Sequence, residues 1–252
     1  MSTRHKAHAP DTLPAMSETP IPIVTTTFEG DVATISIDDG KANALSFVLI
    51  EQVHAALRDA AAESKACVLV GREGRFCAGF DLSIMTSGAH DARRLLEAGA
   101  ELALQIFTSP IPIVLGVTGH ALAMGAILTT TADYRVGADG PYKIGLNEVA
   151  IGMPVPAFAV GLCRDRLSKR WFNRCLQTAE ICSPAQAVEA GFLDEVVAAD
   201  QVASRAAEVA AQLASYVHPV PFTVTRRNLR GHLAEELGHG LRADLRVFNV
   251  EA

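Results

Sequence analysis

Residues 21–29 and 31–38 alternate or cluster β-branched side chains on either side of Glu29-Gly30-Asp31, the pattern of two strands joined by a tight turn. After Gly40, Ser46 stands where it can cap a helix running to about residue 61, with Phe47, Ile50, Val53 and Leu57 on one face. Residues 66–71 are an unbroken apolar run, which predicts a strand covered on both faces. Residues 92–107 form a helix with Leu95, Leu96, Leu102, Ala103 and Ile106 as its apolar stripe. Gly99 falls inside that stripe and weakens it, since glycine costs a helix interior about 1 kcal/mol against alanine. Residues 112–117 read as another buried strand, and 123–131 as a small-residue helix leading into a strand at 134–137. This strand–helix–strand rhythm predicts parallel pairing with crossover helices.

From residue 154 the pattern turns helical. Segments 157–167, 168–178, 183–190 and 201–216 each show helical spacing or a cap, and a final pair of helices is expected at 221–230 and 233–247. Pro221 suits a first helical turn. The first 150 residues or so therefore predict an α/β core and the remainder helical layers, with no internal repeat and no low-complexity linker after residue 20.

Composition narrows the function. The chain has 252 residues, 49% hydrophobic and 20% charged, enough for one α/β domain with a helical appendage. A net charge of −6 argues against nucleic acid, whose phosphates need concentrated Lys and Arg. Apolar runs fall well short of the ~20 residues that span a membrane. Cys67, Cys77, Cys163, Cys175 and Cys182 are scattered without metal-ligand spacing and read as small buried hydrophobes in a reducing compartment. Residues 1–20 hold Arg4, Lys6 and three prolines but no apolar stretch, which predicts a disordered leader rather than a secretory signal, and a cytoplasmic address.

Three segments carry candidate chemistry. Gly71-Arg-Glu-Gly-Arg-Phe-Cys-Ala-Gly-Phe-Asp-Leu follows a buried strand, and Gly79 offers a backbone turn after which the Phe80 amide points into a cleft; an ordinary tight turn is the plain alternative. Gly119-His-Ala-Leu-Ala-Met-Gly-Ala also follows a buried strand and opens a helix, whose first amides are unpaired donors in a positive dipole field. Two such donors aimed at one carbonyl oxygen make an oxyanion hole, while close packing of small residues accounts for the same composition. Gly145-Leu-Asn-Glu-Val-Ala-Ile-Gly sets Glu148 among apolar residues; buried without a cation, its pKa would rise toward the range useful for proton transfer, whereas on the surface it would be only a cap. His120 reads as a packing residue, Ser83 and Thr129-Thr130-Thr131 lack a His/Asp pair that would make a nucleophile, and Arg226, Arg227 and Arg230 read as a solvated helix face able to meet a phosphate.

RFCAGFDL, then PIPIVLGVTGHALAMGAILTTTADYRV, then GLNEVAIG form an ordered set that resembles the crotonase (enoyl-CoA hydratase/isomerase) superfamily from about residue 22 to about residue 230. The resemblance implies an α/β fold: a crotonase-like spiral of repeated ββα units over residues 21–195, followed by a C-terminal helical trimerisation region over 196–252. It implies trimers or paired trimers and an acyl-CoA substrate, coenzyme A arriving as part of the thioester, with no permanent cofactor and no metal. By position, Phe80 and Met124 look like the oxyanion donors, although most relatives have glycine at Met124. Lys41, Ala42, Ala78, Gly79, Asp81, Leu82, Gly125 and Ile127 fall where relatives contact the thioester, and Asp133 matches an acidic position that is usually structural.

Two positions separate the branches. Hydratases of the family use a glutamate pair, at the positions of Ile127 and Glu148, and Ile127 cannot move a proton. Double-bond migration needs only one base, and Δ3,Δ2-enoyl-CoA isomerases of the mitochondrial type, which this chain resembles in GLNE…G and ADYRV, keep only the second glutamate. Isomerisation is the expected reaction. A hydratase or hydrolase working with one carboxylate, a non-catalytic acyl-CoA binder and an RNA-binding relative are the alternatives. The acyl pocket is expected near residues 85–96, Met153 and Phe158, with a shape of its own because Met153-Pro-Val-Pro-Ala-Phe lacks the glycine-rich turn of many hydratases.

Overall fold

The computed structural model describes residues 22–247, with side chains through residue 241; the leader expected at 1–20 lies outside the described residues. β1 (Val24–Glu29) and β2 (Val32–Ile37) pair antiparallel around the predicted turn. α1 (Phe47–Glu63) starts where Ser46 Oγ accepts the Leu49 N–H at 3.2 Å. β3 (Ala66–Val70) and β4 (Gly74–Cys77) follow, then the single turn α2 (Leu82–Met85) and α3 (Ala89–Phe107). β5 (Ile113–Val117), β6 (Gly119–Leu122) and α4 (Met124–Thr129) make the next unit, and β7 (Tyr134–Ala138) with β8 (Ile144–Gly145) the one after. A 3-10 turn at Val149–Ile151 leads to α5 (Ala157–Arg166), α6 (Lys169–Leu176) and α7 (Pro184–Ala190), then β9 (Glu195–Val197), α8 (Val202–Tyr216) and α9 (Pro219–Val247).

Two sheets result. The large one runs β1-β2-β3-β5-β7-β9, parallel after the first pair, and the small one runs β4-β6-β8, also parallel. β3, β5 and β7 each enter the large sheet and are each followed at once by a strand of the small sheet, which is the repeated ββα spiral. Alternation along β3 explains its continuous apolar run: Val68 and Val70 face α8 through Val202, Ala206, Val209 and Ala210, while Cys67 and Leu69 face the main core. α7 opens with a capping box, Ser183 Oγ accepting the Gln186 N–H and Gln186 Oε1 accepting the Ser183 N–H at 3.0 Å, with Pro184 in the first turn. Among the described residues no helix is long and apolar enough to cross a membrane.

The structure corrects two expectations. The final helical pair is one helix, α9, which runs through Gly231 without a break. Arg226 and Arg230 are not a solvated face. Arg226 is 6% exposed, pairs with Asp133 and donates to Ser109 O at 2.6 Å; Arg230 donates to Asp133 Oδ1 at 3.2 Å, to Phe107 O at 3.1 Å and to Thr131 O at 3.0 Å. These are carbonyls at or just past the C-terminal ends of α3 and α4, where helices lack internal donors and favour cations. Asp133 also accepts the Ile113 N–H at 2.8 Å, so one carboxylate ties the start of β5 to the last helix. Arg227 alone of the three is exposed.

Candidate active site

The loop between β2 and α1 is built on itself. Asp39 Oδ1 accepts the N–H groups of Lys41 and Asn43 at 2.7 and 2.9 Å. Buried Asn43, with φ 51°, donates from Nδ2 to Ile37 O and Phe76 O at 3.0 and 3.2 Å. This ties the loop to β4, and Ala78 N–H reaches Ala42 O at 3.1 Å. Beyond β4 the chain turns at Gly79, whose φ of 98° suits glycine. Leu45 N–H donates to Gly79 O at 2.8 Å and Asp81 N–H to Leu45 O at 3.0 Å. This parallel bridge uses the residues on either side of Phe80, so the Phe80 N–H points away from Leu45. Asp81 then caps α2 by accepting the Ser83 N–H and hydroxyl at 2.8 and 2.6 Å, and the Ser83 hydroxyl above all holds its carboxyl below the ordinary value.

The second donor segment comes from β6 and α4. Ala123 N–H bonds Gly145 O at 3.0 Å, and Ala123 O accepts the first helical bonds, from Ala126 and Ile127. The Met124 N–H is therefore left over at the helix start. Ala123 has φ 50° and ψ −121°, a sparsely populated backbone conformation for a residue with a Cβ. A Cβ placed on Gly79 would lie 2.9 Å from Ala123 Cβ and 3.7 Å from Met124 N, so the two donor segments approach closely at a bare glycine. Gly125 allows a similar approach to Cys77, whose carbonyl oxygen would lie 2.2 Å from an added Cβ. The Met124 side chain is fully buried and its terminal methyl lies 3.7 Å from the Cβ position of Gly99, so it packs toward α3.

Two cavities meet at these segments. A groove of about 590 Å³ is lined by Lys41, Ala42, Ala78, Phe80, Asp81 and Leu82, with Asp39, Ser46 and Ser83 adding polar atoms. A cavity of about 280 Å³ is lined by Phe80, Met85, Leu96, Ile127, Met153 and Phe158 among others, and Glu148 is its one ionisable lining residue among the described residues. Gly79, Met124 and Gly125 are not among the lining residues of either cavity; Gly79 and Gly125 set backbone spacing, and Met124 directly follows Ala123, which lines the smaller cavity, with its side chain turned toward α3.

Glu148 sits at the start of the 3-10 turn, 8% exposed, and its Oε2 has no hydrogen-bond partner among the described residues. Burial pushes its carboxyl above the ordinary value of 4.5, with its own N–H offsetting part of the shift. Nearby Cys163 is kept a neutral thiol by burial and then by the Glu148 charge. His120 is a packing residue: its ring meets Tyr142 edge-on at 5.4 Å, and Nδ1 accepts the Lys143 N–H at 3.0 Å. No group of three or more His, Cys, Asp or Glu able to hold a metal ion occurs among the described residues. The sequence did not single out Leu122, Ala123, Asn147, Ile151 and Pro156, which also line the cavity. Nor did it single out the Asp39–Asn43 lock, although an Asx-rich turn is its usual signature.

Comparison with known proteins follows the same lines. The enoyl-CoA hydratase/isomerase family model matches residues 27–251. The mitochondrial enoyl-CoA delta isomerase 1 of Mus musculus is 36% identical over 69% of this chain, and the match spans 61% of the mouse protein's own length. A crystal structure of an enoyl-CoA hydratase/isomerase family protein from Pseudomonas syringae is 37% identical, covering 90% of this chain and 98% of that one with a TM-score of 0.87. An enoyl-CoA hydratase from Mycobacterium marinum is 32% identical, covering 90% and 100%, with a TM-score of 0.85.

Proposed function

The chain belongs to the enoyl-CoA hydratase/isomerase family, and on that footing we propose that it moves the double bond of a 3-enoyl-CoA from C3 to C2. The observation that carries this reading is that Glu148 is the one ionisable side chain lining the cavity among the described residues: its Oε2 has no partner there, and Ile127 lines the same cavity with hydrocarbon. Glu148 removes a C2 proton, electron density moves onto the thioester oxygen, and the dienolate is held by the Phe80 and Met124 N–H groups. The same carboxyl then returns the proton at C4, leaving the bond between C2 and C3. Each oxyanion donor is worth about 3–4 kcal/mol in a water-poor site, and a positioned base a factor of about 10²–10⁴. Lys41, Ala42, Ala78, Asp81 and Leu82 border the groove that receives the coenzyme A portion.

A hydratase reading has the name of the M. marinum relative in its favour. Hydration asks for groups that position water as well as manage the C2 proton, and the hydrocarbon side chain of Ile127 does neither. We extend the proposal to a homotrimer or a pair of trimers, an assembly suited to Val220, Val224 and Leu229, which α9 leaves exposed. The test is to follow conjugated thioester absorbance with a 3-enoyl-CoA and, separately, a 2-enoyl-CoA. The expected result is a rise with the first and little loss with the second. Rapid consumption of the 2-enoyl-CoA would instead make the chain a hydratase, and binding without turnover of either would make it an acyl-CoA binder.

A further inference from the structure

Gly99 lies inside the buried stripe of α3, where every neighbouring stripe position carries a side chain. Space explains the exception. A Cβ placed on Gly99 would lie 2.4 Å from both Cε1 and Cζ of Phe80, far inside contact distance. The edge of the Phe80 ring therefore rests on bare helix backbone.

The other end of the residue is equally fixed. The bridge to Leu45 holds the backbone on both sides of Phe80, and Asp81 starts α2 directly after it. Ring and backbone are pinned by different elements, so the side chain cannot retreat without moving one of them. Phe80 also stands at the neck of the site: Ala78, Phe80 and Leu82 are the residues that line both the groove and the cavity, and Phe80 is the one aromatic among them. The first carbons of any acyl group reaching from groove to cavity pass this ring.

We propose that the Phe80 ring, seated in the Gly99 notch, is the specificity-determining wall of the neck, so that the site takes thioesters unbranched at C2 and refuses those carrying a C2 substituent. This rests on the acyl-CoA reading of the site. A thioester oxygen about 2.9 Å from the Phe80 nitrogen brings C2 within reach of the same residue's side chain, so a C2 branch and the ring compete for one volume. Ala78, Leu122 and Ala123 are smaller and leave the ring as the deciding surface. Gly99 is then a positioning residue: it touches no substrate and acts only by letting the ring stand back.

The experiment measures binding of hexanoyl-CoA and 2-methylhexanoyl-CoA, both saturated and unreactive in isomerisation, by calorimetry on the wild type, Phe80→Leu, Gly99→Ala and the double variant. The wild type is expected to favour the straight chain by at least about tenfold, and Phe80→Leu to reduce that preference several-fold. Gly99→Ala, by driving the ring into the neck, weakens hexanoyl-CoA binding by about tenfold, and adding Phe80→Leu restores it. Thermal melts accompany each variant. A lower melting temperature for Gly99→Ala with unchanged affinities for both thioesters makes the glycine merely structural and overturns the proposal, as does an unaltered preference in Phe80→Leu. A wild type that binds neither thioester removes the acyl-CoA reading itself and this inference with it.

Discussion

Glu148→Gln keeps the shape of the side chain and removes its ability to accept a proton. The structure sets the size of the effect. Glu148 is 8% exposed, and among the described residues its Oε2 is unpartnered and no other ionisable group lines the cavity to take its place. The full contribution of a positioned base, a factor of about 10²–10⁴ or roughly 3–5 kcal/mol of barrier, is therefore expected to disappear from kcat. KM should change little, because the groove lined by Lys41, Asp81 and Leu82 is untouched. A second consequence follows from linkage. Burial raises the folded-state pKa of Glu148, so the folded protein binds this proton more tightly than the unfolded chain does. Stability is consequently lost as pH rises from the ordinary value of 4.5 through the raised one, and the loss is complete above it. At neutral pH the glutamine variant should melt higher than the wild type, with the difference vanishing in acid below 4.5. Wild-type kcat/KM should fall on the acid side around the raised pKa, as the base is protonated. Steady-state kinetics on a 3-enoyl-CoA and melts across pH check both. Turnover within a factor of a few of the wild type, or a variant that melts lower at neutral pH, refutes the assignment of Glu148 as an unpaired buried base.

Three further outcomes are expected. Ile127→Glu puts a second carboxyl in the same cavity; like charges raise each other's pKa, so the acid limb of isomerisation should move to higher pH, and an unmoved limb would show that the two positions do not face each other. Ala123→Gly relieves a strained conformation costing about 1–3 kcal/mol against roughly 0.5–1 kcal/mol of added chain entropy, so urea denaturation should show equal or greater stability, and a clear loss would contradict the strain. Asp133→Asn leaves Arg226 buried with its counter-charge gone and should cost about 3–5 kcal/mol in the same assay; a loss under 1 kcal/mol would make the clamp ornamental.

Local chemistry made part of this visible in advance. The run Ala-Cys-Val-Leu-Val read as a strand covered on both faces, Ser183 opened a segment with helical spacing or a cap, and Glu148 stood out as one carboxylate among apolar neighbours. What stayed hidden depended on partners distant in sequence. The strands Gly74–Cys77, Gly119–Leu122 and Ile144–Gly145 are too short to show a period of two and exist because they pair with one another. Arg226 and Arg230, one helical turn apart, have the spacing of a wet face, and only Asp133 far upstream makes them structural. Gly231 reads as a helix break in isolation, yet α9 continues past it, with Leu237 packed against Gly161 of α5. Gly99 looked like a weakness in α3 until the Phe80 ring supplied its reason.

The clamp on Asp133 also bears on how the chain reaches this structure. The carbonyls of Ser109 and Phe107 wait for arginines 117 and 123 residues further along, and Asp133 for arginines 93 and 97 residues away. Closing loops of that length must precede the reward, which slows folding of high-contact-order chains. During synthesis the ends of α3 and α4 emerge from the ribosome long before the helix that satisfies them, so these carbonyls and the Asp133 carboxylate stay open to water until α9 docks. Docking of α9 is therefore expected to come late in folding. A nascent chain stalled before Arg226 should be a better substrate for proteases and chaperones than one extended past Arg230, because only the longer chain can cover the Ser109, Phe107 and Thr131 carbonyls and pair with Asp133.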